Sequence, residues 1–282
     1  MVRRSLLFSP GDQPELMYKA PDTGADTVVF DLEDAVAPGR KEEARVAVNE
    51  VLCDPAFDPD CEVCVRVNPD PETAEADLET VLKGDPRIDS VIAPKVESAA
   101  DVETLDELIV ERGYDLPILA LCESASGVLH AEAIAASPAI AALIFGAEDL
   151  SADIGASRTE SGEEVSYARQ HVVLAASAAD VDAIDTVFPE IESTDRLADE
   201  TAFARQLGYD GKVAIHPAQV PVINGGFTPD PADVEWAKRV LEATEQAKAE
   251  GKGVFRVDDE MIDAPLISRA ERVMQLYRAA DE

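Results

Sequence analysis

Positive charge is what this 282-residue chain has least of: 24 Lys and Arg stand against 58 Asp and Glu, for a formal net charge of -34. Nucleic-acid binding depends on neutralising phosphates with Lys and Arg, so no nucleic-acid partner is expected. Long apolar runs are also missing. None approaches the roughly 20 residues of a membrane-spanning helix, and no membrane partner is expected. Arg3-Arg4 followed by Leu6-Leu7-Phe8 has the charge of a signal peptide, but the apolar run is too short and Pro10-Gly11 ends it. It reads as a first strand of a cytoplasmic protein. Of the four cysteines, Cys61 and Cys64 form a CxxC, yet they lie in the strand-like run 61–67, where alternation sends the two thiols to opposite faces. With no second CxxC or nearby His to complete a tetrahedron, no zinc or redox role is expected. Cys53 and Cys122 read as small buried apolar residues.

Self-repulsion of so acidic a surface is mostly screened at high ionic strength, where the Debye length falls to roughly 3 Å at 1 M salt. The composition therefore points to a salt-adapted organism. Hydrophobic residues still make up 46%, ample for a large core.

Apolar strand-like runs alternate with amphipathic stretches eight times, with strands beginning near Ser5, Thr27, Glu62, Ser90, Pro117, Ala141, Asp182 and Lys212. Helical spacing of apolar residues is clearest over 41–52, 99–112 and 163–179. Eight β/α units in about 220 residues predict a (β/α)8 TIM barrel over 1–224, with a C-terminal helical extension over 225–282 that includes a long helix from Pro231 to Gly251. The alternative is a doubly wound open sheet. It would gather its ligand loops at a switch point, whereas here nearly every strand ends in polar or turn-forming residues. The stretches 155–164 and 225–231, rich in Gly or Pro, are the expected mobile loops.

Three apolar runs stop at carboxylates: Val28-Val29-Phe30 at Asp31-Leu32-Glu33-Asp34, Ile118 to Cys122 at Glu123, and Leu143 to Ala147 at Glu148-Asp149. Barrel chemistry sits at the C-terminal strand ends, so the pattern predicts a metal-centred site. Paired carboxylates also serve retaining glycosidases. Sugar sites are usually lined with stacking aromatics, however, and aromatic residues are 5% here with Trp236 the only tryptophan. Arg66 closes a β-branched run and opens into the same mouth, able to steady an enolate oxygen or a carboxylate. Lys95 could pair with the acidic cluster. His216, before Pro217, reads as a loop organiser, and His130 and His171 as surface or packing residues.

The ordered strings Arg3-Arg4-Ser5-Leu6-Leu7-Phe8-Ser9-Pro10-Gly11, Asp31-Leu32-Glu33-Asp34, Val65-Arg66-Val67-Asn68, Pro94-Lys95, Glu123, Gly146-Ala147-Glu148-Asp149 and Ile215-His216-Pro217 resemble the CitE-like CoA-ester lyases of the HpcH/HpaI superfamily, close to malyl-CoA lyases and thioesterases. The resemblance runs almost the whole length. It implies Mg²⁺, or Mn²⁺ in its place, on Glu123 and Asp149, a ligand set that suits an ion keeping several waters. Asp31, Glu33, Asp34 and Glu148 would hold metal-bound waters or orient neighbours. Arg66 would be catalytic with Asp31 beside it, and the Gly146-Ala147 backbone would take the carboxylate of a 2-oxo acid. Asp263, in Met261-Ile262-Asp263-Ala264-Pro265-Leu266, would act as acid/base in a neighbouring protomer's site, which implies a homo-oligomer, a trimer or hexamer. The implied reaction is reversible Claisen-type cleavage of malyl-, β-methylmalyl- or citramalyl-CoA to an acyl-CoA and a 2-oxo acid. The alternatives are an (S)-malyl-CoA thioesterase and the β subunit of a citrate lyase complex acting on a carrier-protein thioester. One departure concerns CoA: Gln13 stands where relatives often carry Arg in the loop after strand one, which removes a charged phosphate contact and leaves Lys19 as a nearby cation.

The acidic surface generates a first prediction. The melting temperature is expected to rise by about 10 °C or more between about 0.1 and about 2 M KCl. A flat melting curve across that range would make the charge an ordinary acidic surface.

Overall fold

The strands begin where β-branched and aliphatic residues cluster, and they close on themselves. In the computed structural model, which describes residues 2–249, 251 and 253–281, β1 (Ser5–Pro10), β2 (Thr27–Asp31), β3 (Glu62–Arg66), β4 (Ser90–Ala93), β5 (Ile118–Cys122), β6 (Ile140–Phe145), β7 (Asp182–Asp185) and β8 (Gly211–Ala214) form a closed barrel in sequence order. Every neighbouring pair is parallel, including β1 with β8. This is the predicted (β/α)8 barrel, with strand starts within one residue of the sequence reading. Among the described residues no helix is long and apolar enough to cross a membrane.

Alternation sorts the strand residues into two layers. Leu6, Val29, Cys64, Ile92, Leu119, Leu121, Ala142, Ile144, Ile184 and Val213 fill the interior. Their strand neighbours, among them Val28, Phe30, Val63 and Leu143, are equally buried, since each strand is covered on both faces. Cys122 is buried as expected, but Cys53 is only half-buried at the end of helix Lys41–Leu52, its sulfur 3.3 Å from the Lys83 carbonyl.

Polar side chains close the N-terminal end of the barrel. Glu62 accepts from Arg3 Nε at 2.7 Å and Nη2 at 2.9 Å, from Thr27 Oγ1 at 2.8 Å and from Ser90 Oγ at 2.8 Å. Burial pushes the Glu62 carboxyl up, but Arg3 and the two hydroxyls more than offset it and hold the group below its ordinary range. A second buried cluster pairs Asp185 with Lys212 at 2.5 Å and with both arms of Arg169 at 2.8 and 2.7 Å. Neither was visible as a pair in the sequence.

The chain divides into two compact units, Arg3–Asn224 and one that begins at Gly225. The second contains helix Pro231–Ala249, a hairpin of β9 (Phe255–Val257) and β10 (Glu260–Ile262), and helix Ala264–Asp281. Its core includes Ala237, Val240, Ile262 and Ala270. The predicted loop over 225–231 is mostly helix instead. Helix Val220–Phe227 runs through Gly225 and Gly226 because Val220, Ile223 and Phe227 repeat at helical spacing and are buried. Burial outweighs the roughly 1 kcal/mol each Gly costs in a helix.

Arg3→Met is expected to destabilise the protein by about 3–5 kcal/mol, because it leaves Glu62 as a buried charge without its cation. Urea unfolding at fixed salt measures this. Glu62 has a depressed folded pKa, so its contribution is present above its unfolded value of about 4.5 and is lost as pH falls through the lower folded one. Acid unfolding of Glu62→Gln should therefore be shallower than that of the parent.

Candidate active site

Parallel register puts Asp31 directly opposite Arg66 at the C-terminal ends of β2 and β3. Their side chains meet in a bidentate pair, Nε to Oδ1 at 2.7 Å and Nη2 to Oδ2 at 2.6 Å. The third nitrogen of Arg66 lies 2.9 Å from Glu33 and 3.9 Å from Asp34. Its carbon sits 4.9 Å from the centre of the Phe8 ring. Burial would lower the Arg66 pKa, but Asp31, Glu33 and Asp34 raise it above its usual value, so the guanidinium stays charged. Asp31 is itself oriented, accepting from the backbone amides of Glu33 at 2.8 Å and Ala35 at 2.9 Å.

Across the mouth, Glu123 is the first residue beyond β5. Its Oε1 accepts the Lys95 amide at 2.9 Å, a contact made with Lys95 in the left-handed region at φ 50°. The Lys95 ammonium lies 3.3 Å from Glu33 and 4.0 Å from Asp149. Gly146, next to Glu123 in register beyond the Cys122–Phe145 pair, allows this approach, since a Cβ there would sit 2.4 Å from Glu123 Cβ. Burial, together with the Asp149 charge, pushes Glu123 up to about 8 despite the Lys95 amide and Arg66.

A cavity of about 430 Å³ opens between these groups. Its floor is the top of the barrel core: Phe8, Leu121, Ile144, Val187 and Val213. Its rim carries Asp31, Asp34, Arg66, Glu123, Gly146, Ala147, Glu148 and Asp149, so the structure brings together most of the residues the sequence singled out. Glu33 stands behind them, buried, between Arg66 and Lys95. Glu148 is turned to Arg158 at 2.9 Å, and Arg158 also pairs with Glu164 across the predicted mobile segment 155–164. The Gly146 and Ala147 amides, expected to receive a substrate carboxylate, are engaged within the protein, by the Cys122 carbonyl at 3.1 Å and by Thr186 Oγ1 at 3.1 Å.

Lys19 is exposed on helix Pro14–Lys19 and does not line the cavity. Asp263 belongs to the C-terminal unit, where it is exposed and caps helix Ala264–Asp281 through a bond from Leu266 N at 3.4 Å. His216 organises its loop, accepting from Ala218 N at 3.2 Å. His171 packs on Tyr167, whereas His130 sits between two short helices, its ring 2.9 Å from the Glu97 carbonyl. Sequence reasoning missed Thr186 and Phe8. Period-two counting forward from Ile184 and Leu6 places both side chains over the cavity and could have found them.

Among the described residues no group of three or more His, Cys, Asp or Glu side chains is arranged to hold a metal. Two carboxylates remain, Glu123 and Asp149. That donor set fits a hard cation that keeps most of its coordination sphere for water and substrate oxygens. The surroundings of Glu123 support the fit: burial and the neighbouring Asp149 carboxylate both disfavour its charged form, and a cation beside it would favour that form.

Comparison with known proteins agrees with the barrel. The family model described as HpcH/HpaI aldolase/citrate lyase matches residues 4–217. The chain is 37% identical to the citrate lyase subunit beta of Leuconostoc mesenteroides subsp. cremoris, over 99% of this chain and 94% of that one. It is 33% identical to the mitochondrial citramalyl-CoA lyase of Rattus norvegicus, over 99% and 87%. Among solved structures, the CitE protein of Mycobacterium tuberculosis in complex with magnesium, acetoacetate and coenzyme A superposes with a TM-score of 0.79 at 32% identity, covering 98% of each chain. The closed eight-stranded parallel barrel accords with these matches, and the chain belongs to the HpcH/HpaI aldolase/citrate lyase family.

Proposed function

We propose that this protein is a Mg²⁺-dependent lyase that reversibly cleaves a 3-hydroxyacyl-CoA such as malyl-, β-methylmalyl- or citramalyl-CoA into an acyl-CoA and a 2-oxo acid. The observation that carries the reading is the juxtaposition of the Glu123–Asp149 carboxylate pair with the charged, rigidly held Arg66 over one cavity. Glu123 and Asp149 would hold the metal, which supplies Lewis-acid polarisation of the 2-oxo group and its carboxylate. Arg66 cannot give up its proton, so it acts as a fixed cation for the oxygen on which negative charge develops as the C–C bond breaks. Asp31, holding two of its nitrogens, keeps it aimed. The Lys95 amide fixes one oxygen of Glu123. With the Gly146 and Ala147 amides occupied, the first-turn amides of Glu148 and Asp149, which have no acceptor within their own helix, are the donors offered to the substrate carboxylate. Asp263 from a neighbouring protomer would exchange the proton at the carbon next to the thioester, which requires a homo-oligomer, a trimer or hexamer. Lys19 would meet the CoA phosphates in place of the cation absent at Gln13.

Charge balance favours these substrates over the citryl thioester of a citrate lyase complex. Among the described residues that line the cavity, Arg66 is the only basic one, against Asp31, Asp34, Glu123, Glu148 and Asp149. A citryl group would set a second substrate carboxylate on the apolar floor without a cation, and an unpaired buried charge is strongly disfavoured. High-salt adaptation belongs to the same proposal, since screening lets a polyanionic CoA ester approach a protein of charge -34.

Purified protein in concentrated KCl with Mg²⁺ and citramalyl- or (S)-malyl-CoA is expected to yield acetyl-CoA and the 2-oxo acid in equal amounts. Malate and free CoA without glyoxylate would make the protein a thioesterase. Glu123→Gln is expected to weaken Mg²⁺ binding by at least about tenfold in titration calorimetry, because one of two protein ligands loses its charge. Arg66→Met should lower kcat by about 10²–10³-fold, the usual effect of removing one donor to a developing oxyanion, while Mg²⁺ affinity changes little.

A further inference from the structure

Arg66 can serve only as well as its neighbours hold it, and the hold reaches beyond Asp31. Between Asp31 and Glu33, both ion-paired to Arg66, lies Leu32, whose backbone is gripped on both sides. Its N–H donates to the Arg66 carbonyl at 3.0 Å. Its carbonyl accepts from the Lys41 ammonium at 2.6 Å and from Asn68 Nδ2 at 3.0 Å. Lys41 also donates to the Glu33 carbonyl at 2.5 Å and to Asn68 Oδ1 at 2.9 Å. Asn68 lies two residues beyond Arg66 and is buried, so the ammonium ties the turn after β2 to the turn after β3. Asn68 is held in turn by Asp77, which accepts from its backbone amide at 2.8 Å and from Nδ2 at 2.7 Å. Asp77, fully buried, receives Arg45 Nε at 2.6 Å. Lys41 and Arg45 stand one turn apart on helix Lys41–Leu52.

Three features separate this arrangement from an ordinary surface lysine. All three acceptors of Lys41 are neutral oxygens, so it is not spent on neutralising a carboxylate. Two of them are main-chain carbonyls on the segment that carries Asp31 and Glu33. Neither Lys41 nor Asn68 lines the catalytic cavity.

We propose that Lys41, steadied through Asn68, Asp77 and Arg45, is a positioning residue that sets the orientation of Arg66 by fixing the Asp31–Glu33 backbone. It touches neither substrate nor metal ligand. The kinetic part of this inference rests on the lyase reading above. The structural part does not.

The test replaces Lys41 by Met, which removes every donor, by Gln, which keeps the length of a polar side chain without charge, and by Arg. Three quantities are read: the Arg66 Nε–H signal in ¹⁵N spectra with its exchange rate, steady-state constants, and the Mg²⁺ dissociation constant. Lys41→Met and Lys41→Gln are expected to accelerate exchange at Arg66 Nε by at least about tenfold. They should lower kcat by about 10–100-fold, the scale on which misplacement of a catalytic group by a remote substitution acts. KM and the Mg²⁺ constant should stay within about threefold, because Glu123 and Asp149 are held from β5 and β6, and Lys41→Arg should restore most of kcat. Unchanged Arg66 exchange in a folded variant overturns the proposal, as does wild-type kcat accompanied only by a lower melting temperature. Should Lys41→Met fail to fold, Lys41→Gln decides. If the parent protein lacks lyase activity, the reaction assignment falls while the exchange measurement still decides the positioning.

Discussion

The bidentate contact between Arg66 and Asp31 is the interaction on which the rest of the site depends. Parallel pairing of β2 with β3 makes it inevitable, since the two residues occupy the same rung of the barrel at its C-terminal end. Once formed, it fixes a cation that cannot deprotonate above an apolar floor. It also sets a cation among Asp31, Glu33 and Asp34, where uncompensated carboxylates would repel one another. Glu123 and Asp149, farther round the barrel mouth, face each other without a cation of this kind between them, which is why burial and Asp149 raise Glu123.

A chain with so few basic residues has to place them with care. Arg3 answers Glu62, Lys212 and Arg169 answer Asp185, Arg45 answers Asp77, and Arg66 answers Asp31. In each case a buried carboxylate is met by a buried or half-buried cation at hydrogen-bonding distance, as burial of charge demands. Glu123 is treated differently. It is buried, it faces Asp149, and it receives a backbone amide in place of a side-chain cation.

What was legible in the sequence followed from periodicity. Strands of four to six β-branched or aliphatic residues, each running into a polar end, announce a barrel because only burial on both faces tolerates such runs. The rim residues were legible for the same reason: Asp31, Arg66 and Glu123 stand where an apolar run stops. Long-range partnerships were not legible. Nothing local says that Lys212 meets Asp185, or that Lys41 reaches back to the Leu32 carbonyl, since both contacts depend on how neighbouring units pack. Helix Val220–Phe227 was hidden by Gly225-Gly226, where local propensity and tertiary burial disagree and burial prevails. Nor does anything local say that the Ala147 amide meets Thr186, just beyond β7 and 39 residues away in sequence.

Salt acts on the two kinds of negative charge in this protein in different ways. Surface carboxylates sit in water, and at molar ionic strength their mutual repulsion decays within a few ångströms. Glu123 is buried at the mouth of a cavity with an apolar floor and Glu33 is buried behind it, where mobile ions screen poorly and the local field persists. A potassium ion dilutes the surface charge without needing a defined site. A two-carboxylate pair with room for waters instead rewards charge density and fixed geometry, which favours a small divalent cation over a large monovalent one. Exposed and buried carboxylates therefore respond to different cations, and the barrel separates the two by burying one set and exposing the other.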